Sequence, residues 1–247
     1  MIGQIIDFIL SLFPEKFKNP IRHSGFNYIW NVYLNFRAKH SGSVFFGQLQ
    51  EDRLIESYFP ESEGNYVDIG AGHPVLGSNT YFFYRKGWRG VTVDPIQKNI
   101  SLHRLFRRKD TQIRSLIGNE NSEIMFFHIE PYEYSTTDSE IAKEVLRNPG
   151  VRLLARESLP MQQMRDLGVK ANFNDATFLS VDVEGTDFDV LKSINWSEYA
   201  PRLICVESWS NNADNRIEIQ NFLGEIGYEY KESAGLSHIF LHRLFKI

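Results

Sequence analysis

A single cysteine stands among 247 residues, and that scarcity closes two routes at once. Cys205 alone can build neither an internal disulfide framework nor a cysteine-based zinc site. It lies inside the apolar run "RLICVES" and reads as a small buried core residue rather than a nucleophile. A basic excess is missing too. Lys and Arg number 27 against 31 Asp and Glu, a formal net charge of −4, which argues against a nucleic-acid binder. The first thirteen residues, "MIGQIIDFILSLF", are too few to span a membrane. They also lack the basic start and small-residue cleavage site of a secretory signal, so a cytoplasmic protein without a transmembrane segment is expected. Repeats and low-complexity tracts are absent.

With 42% hydrophobic and 23% charged residues, the chain fits one large globular domain carrying an added lobe. Residues 1–60 are expected to be a helical extension, since "NYIWNVYLNFRAKH" and "FGQLQEDRLIESYF" carry apolar residues at helical spacing. The N-terminal run suits an amphipathic helix that packs on the body, joins a second copy as a homo-oligomer, or rests on a membrane surface. From residue 61 to 247 the pattern changes to short apolar runs alternating with helical segments. "NYVDIG", "WRGVTVDP", "TQIRSLIG", "EIMFFHI", "TFLSVDV" and "RLICVES" read as strands, with helices between most of them. "YEYKES" and "HIFLHRL" close the chain as an antiparallel edge hairpin. The expected fold is a doubly wound, Rossmann-like α/β sheet that binds ligands beyond the carboxyl ends of its strands.

In "NYVDIGAGHPVLGSNTYFFYRKGW", Asp68 ends a strand and Gly70 and Gly72 open a turn where backbone can approach a ligand. A dinucleotide loop would carry a third glycine where Val75 stands, and Pro74 removes a donor that a phosphate would use. The loop therefore suits S-adenosylmethionine, which has no phosphate, better than NAD. Asp94, ending "VTVDP", can accept from ribose hydroxyls or serve as a turn residue. Ser78, Asn79 and Thr80 can cap the next helix and point donors at the cofactor's carboxylate. Gly118 and Asn119 in "LIGNENS" are candidates for the adenine edge, or for a plain polar turn.

Acids also gather late in the chain. Asp182, Glu184 and Asp187 crowd "FLSVDVEGTDFDVLK", and Glu207 ends "CVES". Buried strands gain no stability from carboxylates, whose desolvation is costly unless they are paired. Asp187 has a bland explanation as a charge at a helix N-terminus. Asp182 and Glu207 can hold one divalent cation, Mg or Mn, or one of them can act as general base. His73 at the lip of the glycine loop and His238 in "LSHIFLHR" are further candidates, the second equally readable as an edge-strand residue.

Together "VDIGAGHP…SNTYFFYRKGWRGVTVDP", "FLSVDVEGTDFDVLKS" and "PRLICVES" resemble the FkbM family of S-adenosylmethionine-dependent methyltransferases. The upstream "GQLQEDRLIESYF" looks like that family's lead-in, and the resemblance runs from about Gln48 to Ser208. It implies a class I methyltransferase fold and methylation of a hydroxyl oxygen in a surface-polysaccharide or secondary-metabolite pathway. By position it assigns Asp68, Gly70, Asn79 and Asp94 to the cofactor and Asp182 and Glu184 to the reaction. Gly72 stands where many members have a bulkier residue, and Asp94 replaces a Glu.

The expected chemistry brings methyl and acceptor oxygen about 3 Å apart. Asp182 and Glu207, with His238 as a further candidate, would hold the metal, and His73 or Glu184 would act as base. In "EPYEYSTTDSE", Tyr132, Tyr134 and Ser135 are expected to contact a sugar-like or other small acceptor. The basic run Arg104–Lys109 meets a phosphate-bearing acceptor or simply faces solvent. The competing readings are an NAD-dependent oxidoreductase and a non-catalytic member of the fold.

Overall fold

A computed structural model describes residues 45–59, 63–167, 177–210 and 213–245. The chain divides into two compact units, Met1–Val44 and Phe45–Ile247, and the first lies outside the described residues. The expected N-terminal amphipathic helix and its homo-oligomer contact fall there. Among the described residues no helix is long and apolar enough to cross a membrane.

A helix, α1 (Glu51–Tyr58), precedes the first strand, β1 (Asn65–Ile69). Then come α2 (Tyr81–Lys86), β2 (Arg89–Val93), α3 (Gln97–Phe106), β3 (Thr111–Ile113) and β4 (Leu116–Ile117). The middle holds β5 (Ser122–Glu130), α4 (Ser139–Val145), β6 (Arg152–Gln162) and α5 (Met164–Leu167). The remainder is β7 (Phe178–Val181), α6 (Asp187–Lys192), β8 (Leu203–Glu207), β9 (Trp209–Ser210), β10 (Ala213–Asp214), α7 (Arg216–Glu225), β11 (Tyr228–Ala234) and β12 (Ser237–His242).

Seven strands form the main sheet in the order β11-β12-β8-β7-β1-β2-β3. β12 alone runs against its neighbours; the closing hairpin forms as expected, with its last strand inside and β11 at the edge. The chain leaves β1 toward β3 on one side and returns as β7 on the other. The switch point between β1 and β7 is where such a sheet opens a crevice.

Alternation along each strand sorts its residues to two faces. Val67, Ile69, Leu179, Val181, Ile204, Val206 and Phe240 enter one core with α6 and α7. Tyr66, Phe178, Leu203, Cys205, Ile239 and Leu241 enter the other, with Ile55 and Phe59 from the α1 segment. Residues 45–59 thus pack with the sheet domain. Cys205 is buried and unpaired, as its apolar run implies.

The second face carries a polar stripe. Thr92, Asp68, Ser180 and Cys205 stand side by side in register across four strands. Arg107, fully buried, is its counterpart: Nε donates to Asp110 Oδ2 at 2.8 Å, and Nη2 to Tyr66 Oη and Thr80 Oγ1, both at 2.9 Å. Its Nη1 donates to Ser78 at 3.3 Å and lies 4.0 Å from Asp68 Oδ2. The basic run at 104–109 is therefore not one surface. Arg104, Arg108 and Lys109 are exposed while Arg107 is interior.

A smaller sheet, β4-β6-β5, is inserted between β3 and β7. "TQIRSLIG" is not one strand, because the chain leaves the main sheet after Ile113 and joins this lobe at Leu116. β6 escapes the sequence reading altogether. Its residues are mostly exposed or half-buried and include Pro160, so no apolar period marks it.

Arg107→Ala would strand Asp110 and Asp68 without their buried counter-charge. A loss of about 3–5 kcal/mol in denaturant unfolding is expected. The exposed Arg108→Ala should change stability by no more than about 0.5 kcal/mol.

Candidate active site

Where β1 stops, the chain turns through Gly70 and Gly72, with φ of 77° and 53°. Gly70 is a steric necessity, because a Cβ there would stand 1.7 Å from the Asp182 carbonyl oxygen. The N–H groups of Gly70 and Ala71 both donate to the Val93 carbonyl. Gly72 N–H donates to Asp94 Oδ2 at 2.9 Å and Ile96 N–H to Oδ1 at 2.7 Å, and Asn99 Nδ2 reaches both oxygens. Burial still raises the Asp94 carboxyl to about 7. Asp94 therefore clamps the glycine loop and lines the cleft beneath it.

His73 also lines the cleft, but its ring serves the loop. Nδ1 accepts the backbone N–H groups of Val75 and Leu76 at 3.2 and 3.1 Å. That acceptor role puts the proton of the neutral ring on Nε2, so this tautomer is a donor rather than a base. His103, unremarked in the sequence, holds the loop from behind with Nε2 3.2 Å from the Gly72 carbonyl. Burial first, then the nearby Arg107 charge, keep it neutral.

Asp68, Ser78, Asn79 and Thr80 do not line the cleft. Asp68 accepts from Thr80 Oγ1 in a short hydrogen bond beside Arg107. Asn79 Nδ2 reaches Ser180 at 3.3 Å, and Ser78 Oγ accepts from the N–H groups of Thr80 and Tyr81. All four are buried under the loop as its support. The side of β1 to which Asp68 points explains this: it shares the polar face with Thr92 and Ser180, opposite Val67 and Ile69.

The cleft and its open mouth span about 960 Å³ of space. Ser115, Leu116, Ile117, Phe126 and Met161 make one wall from the inserted lobe. Gly118 and Asn119 lie one step further, in an adjoining groove that shares Thr136, Thr137, Met161, Glu184 and Thr186 with the cleft. Tyr132 and Ser135 line the cleft, whereas Tyr134 does not and is 42% exposed. The Tyr132 hydroxyl accepts from the His73 backbone and faces Gly72, where a Cβ would be 3.5 Å away.

β7 and β8 are neighbours, and the pairing Val181↔Val206 sets Asp182 beside Glu207. The two acids thus meet on adjacent strands. A hydrogen bond joins their carboxyl groups. Burial, then the charges of Glu207 and Glu184, push Asp182 well above the carboxylate range. Burial and Asp187 raise Glu207 to about 7. Glu184 sits in the left-handed region at φ 56°, partly open to solvent yet deep enough in the concave cleft that enclosure and its acidic neighbours raise it to about 8.

Asp187 is buried, its oxygens accepting from the N–H groups of Val183 and Gly185 at 3.0 and 3.1 Å. Ligand atoms of Asp182, Asp187 and Glu207 all lie within 4.8 Å of one another, so among the described residues these three could hold a cation. His238 is not part of that group. Its Nε2 pairs with Ser208 Oγ at 2.6 Å and its Nδ1 with Ser233 Oγ, which occupies both ring nitrogens.

Charge is the cleft's main character. Asp94, Glu133, Asp182 and Glu184 line it, and among the described residues no lysine or arginine does. The raised carboxyls are partly protonated near neutral pH, and a cation entering the concave site favours their charged form. Such a lining fits a sulfonium and an ammonium and opposes a pyrophosphate. The glycine loop and Asp94, both expected at the cofactor, border this same cleft.

The same charges set a pH dependence. Asp94 at about 7, Glu207 at about 7 and Glu184 at about 8 all titrate above their usual values. The folded state then holds protons that the unfolded chain has released, so their contribution is complete below about pH 4 and is lost as pH rises through 7 to 8. The ligand-free protein should unfold at a lower temperature at pH 8 than at pH 5.5. Asp94→Asn should flatten that slope in calorimetric melts.

A family model described as the methyltransferase FkbM domain matches residues 68–230. Among solved structures, the chain is similar to a TehB-like SAM-dependent methyltransferase from Corynebacterium glutamicum, at 11% identity and TM-score 0.44, over 86% of this chain and 96% of that one. It is similar at 12% identity and TM-score 0.44 to a methyltransferase from Geobacter sulfurreducens, over 98% and 96% of the two chains. The methyltransferase domain of bacterial CtHen1-C gives 12% identity and TM-score 0.40, over 79% and 99%. No curated protein matches. The structural likenesses are too distant to add weight, and the family model together with the acidic cleft decides the matter: this chain belongs to the FkbM family of S-adenosylmethionine-dependent methyltransferases.

Proposed function

We propose that the chain methylates a hydroxyl oxygen of a polyhydroxylated, carbohydrate-like acceptor, with the Asp182–Glu207 carboxyl pair taking the hydroxyl proton. The observation that carries this reading is the pairing of the two carboxyl groups at the ends of β7 and β8, with Glu207 near 7 and Asp182 pushed well above the carboxylate range by burial and its acidic neighbours. A carboxyl pair sharing one proton keeps one carboxylate charged at neutral pH, with a proton affinity suited to a hydroxyl that loses its proton as it reacts. Bound S-adenosylmethionine supplies an electrophilic methyl group. The protein's part is to hold the acceptor, exclude water and receive the proton.

The adjoining groove supports the acceptor class. Thr136, Thr137, Thr186 and Asn119 bring hydroxyl and amide groups to its lining, and Ile124, Ile141 and Met161 bring apolar surface. A lining of both kinds suits a sugar ring, which has both kinds of surface. Glu120, Asp138, Glu184 and Asp189 border the groove, with no lysine or arginine among the described residues. This rim disfavours a phosphorylated acceptor, and the exposed basic side chains at 104 and 108–109 line neither the cleft nor the groove. Tyr132 and Ser135 stay candidates for acceptor contact from the cleft side, and Glu184, shared by both spaces, stays a candidate at the reaction.

A second reading rests on the 4.8 Å grouping of Asp182, Asp187 and Glu207. A divalent cation held there would lower the pKa of a bound acceptor hydroxyl, whose proton would pass to Glu184 or to solvent. Hard-cation sites of this kind use carboxylate oxygens, and the three residues offer that donor set.

Asp182→Asn should lower kcat by about 10²–10⁴-fold in a methyl-transfer assay, the usual range for a general base. Binding of S-adenosylhomocysteine should change by less than about threefold, roughly 0.6 kcal/mol. A rate untouched by excess EDTA supports the carboxyl pair acting alone. A rate abolished by EDTA and restored by Mg²⁺ or Mn²⁺ supports the cation.

A further inference from the structure

The short segment before α1 reaches the cleft with one side chain, and its construction is unusually deliberate for a connecting loop. Phe46 N–H donates to Asp52 Oδ2 at 2.5 Å, and Leu49 N–H to Glu51 Oε2 at 2.9 Å. Both carboxylates are buried, at 0% and 4% exposure, and Gln50 takes a left-handed φ of 68°. Gly47 bridges to Gly77 in parallel fashion. Phe45 stacks on Phe82 and Phe46 meets Tyr81 edge-on, each at 4.8 Å between centroids. Two buried acids therefore fasten residues 45–50 to α1, and a backbone bridge and two aromatic contacts fasten them to the end of the glycine loop and to α2.

What this strap presents is Gln48. Its side chain is exposed and lines the cleft beside Gly77, where a Cβ would stand 3.2 Å from Gln48 Cγ and 3.6 Å from Nε2. Nothing in the strap's own fold uses the Gln48 amide among the described hydrogen bonds.

The cleft poses a problem that this amide solves. The amino-acid end of S-adenosylmethionine bears a carboxylate as well as an ammonium. That carboxylate must enter a lining with four acids and, among the described residues, no lysine or arginine. Ser115 and Ser135 give their hydroxyl protons to the carbonyls of Leu116 and Ile129. Among the described lining residues, Gln48 is the one side-chain amide. A neutral donor also preserves the field. A lysine at this position would hold the carboxylate but would repel the sulfonium a few bonds away.

We infer that the Gln48 amide hydrogen-bonds the α-carboxylate of the cofactor, on the wall that the strap and residues 76–77 form together. The inference rests on S-adenosylmethionine being the ligand of this cleft. It makes the lead-in segment part of the cofactor site, although it lies before the glycine loop and before the matched family residues 68–230.

The test compares two ligands by calorimetric titration. S-adenosylhomocysteine has the amino-acid end, and 5′-methylthioadenosine lacks it. Gln48→Ala should weaken S-adenosylhomocysteine about tenfold or more, as loss of a hydrogen bond to a charged group does. The same variant should leave methylthioadenosine within about twofold. Gln48→Glu, which sets carboxylate against carboxylate, should weaken S-adenosylhomocysteine further. Because the side chain is exposed, melting temperatures of the variants should match the wild type. Equal weakening of both ligands, or unchanged S-adenosylhomocysteine affinity in Gln48→Ala, overturns the inference. A wild-type protein that binds methylthioadenosine but not S-adenosylhomocysteine also overturns it. One that binds neither ligand removes the cofactor reading along with it.

Discussion

One buried guanidinium holds together the parts that make the site. Arg107 touches β1 through Tyr66, the turn before β3 through Asp110, and the start of α2 through Ser78 and Thr80. Asp110 extends the same network by accepting from the Gly90 backbone and the Tyr66 hydroxyl. The glycine loop spans β1 and α2, so the elements at its two ends are tied to one charge. A buried ion pair is seldom a net source of stability, because desolvation offsets the Coulomb gain. Its value here is specificity of arrangement. With Asp68, Thr80 and Ser180 satisfied around it, the polar stripe has a single way to close.

That support leaves the cleft free to be what stability alone would not choose. Asp182, Glu184, Asp187 and Glu207 crowd the ends of two strands, and all four are raised above their ordinary values, burial being the first cause in each. Such crowding lowers the stability of the ligand-free protein near neutral pH. A cationic ligand relieves it. Clusters of acids with raised values are commonly found at functional sites, which trade stability for function.

Much of the sheet was legible because parallel strands buried on both faces read as apolar runs, and the strand ends fell at Asp68, Asp94, Asp182 and Glu207. The inserted lobe was half-hidden, since β6 exposes most of its residues and so has no hydrophobic period. Gly70, Gly72, Asp94, Asp182 and Glu184 line the cleft, whereas Gly118 lines the adjoining groove, Glu207 stands behind Asp182 on the neighbouring strand, and Asp68 is turned away. A carboxylate at a strand end has two faces to choose from, and only the register with Ser180 and Thr92 shows that Asp68 takes the supporting one. The histidines have local partners that spacing does not reveal: Nδ1 of His73 accepts from the loop backbone, and both ring nitrogens of His238 pair with serines. Arg107 looked like one more charge in a basic run, because nothing in "HRLFRRK" marks which arginine turns inward.

The central claim is that an acid-lined cleft, with no lysine or arginine among its described residues, selects a sulfonium over a phosphate. Calorimetric titration of the wild-type protein with S-adenosylmethionine and, separately, with NAD tests that claim most directly. Saturable one-site binding of S-adenosylmethionine with no heat from NAD is the predicted result. Saturable binding of NAD with S-adenosylmethionine silent would contradict it.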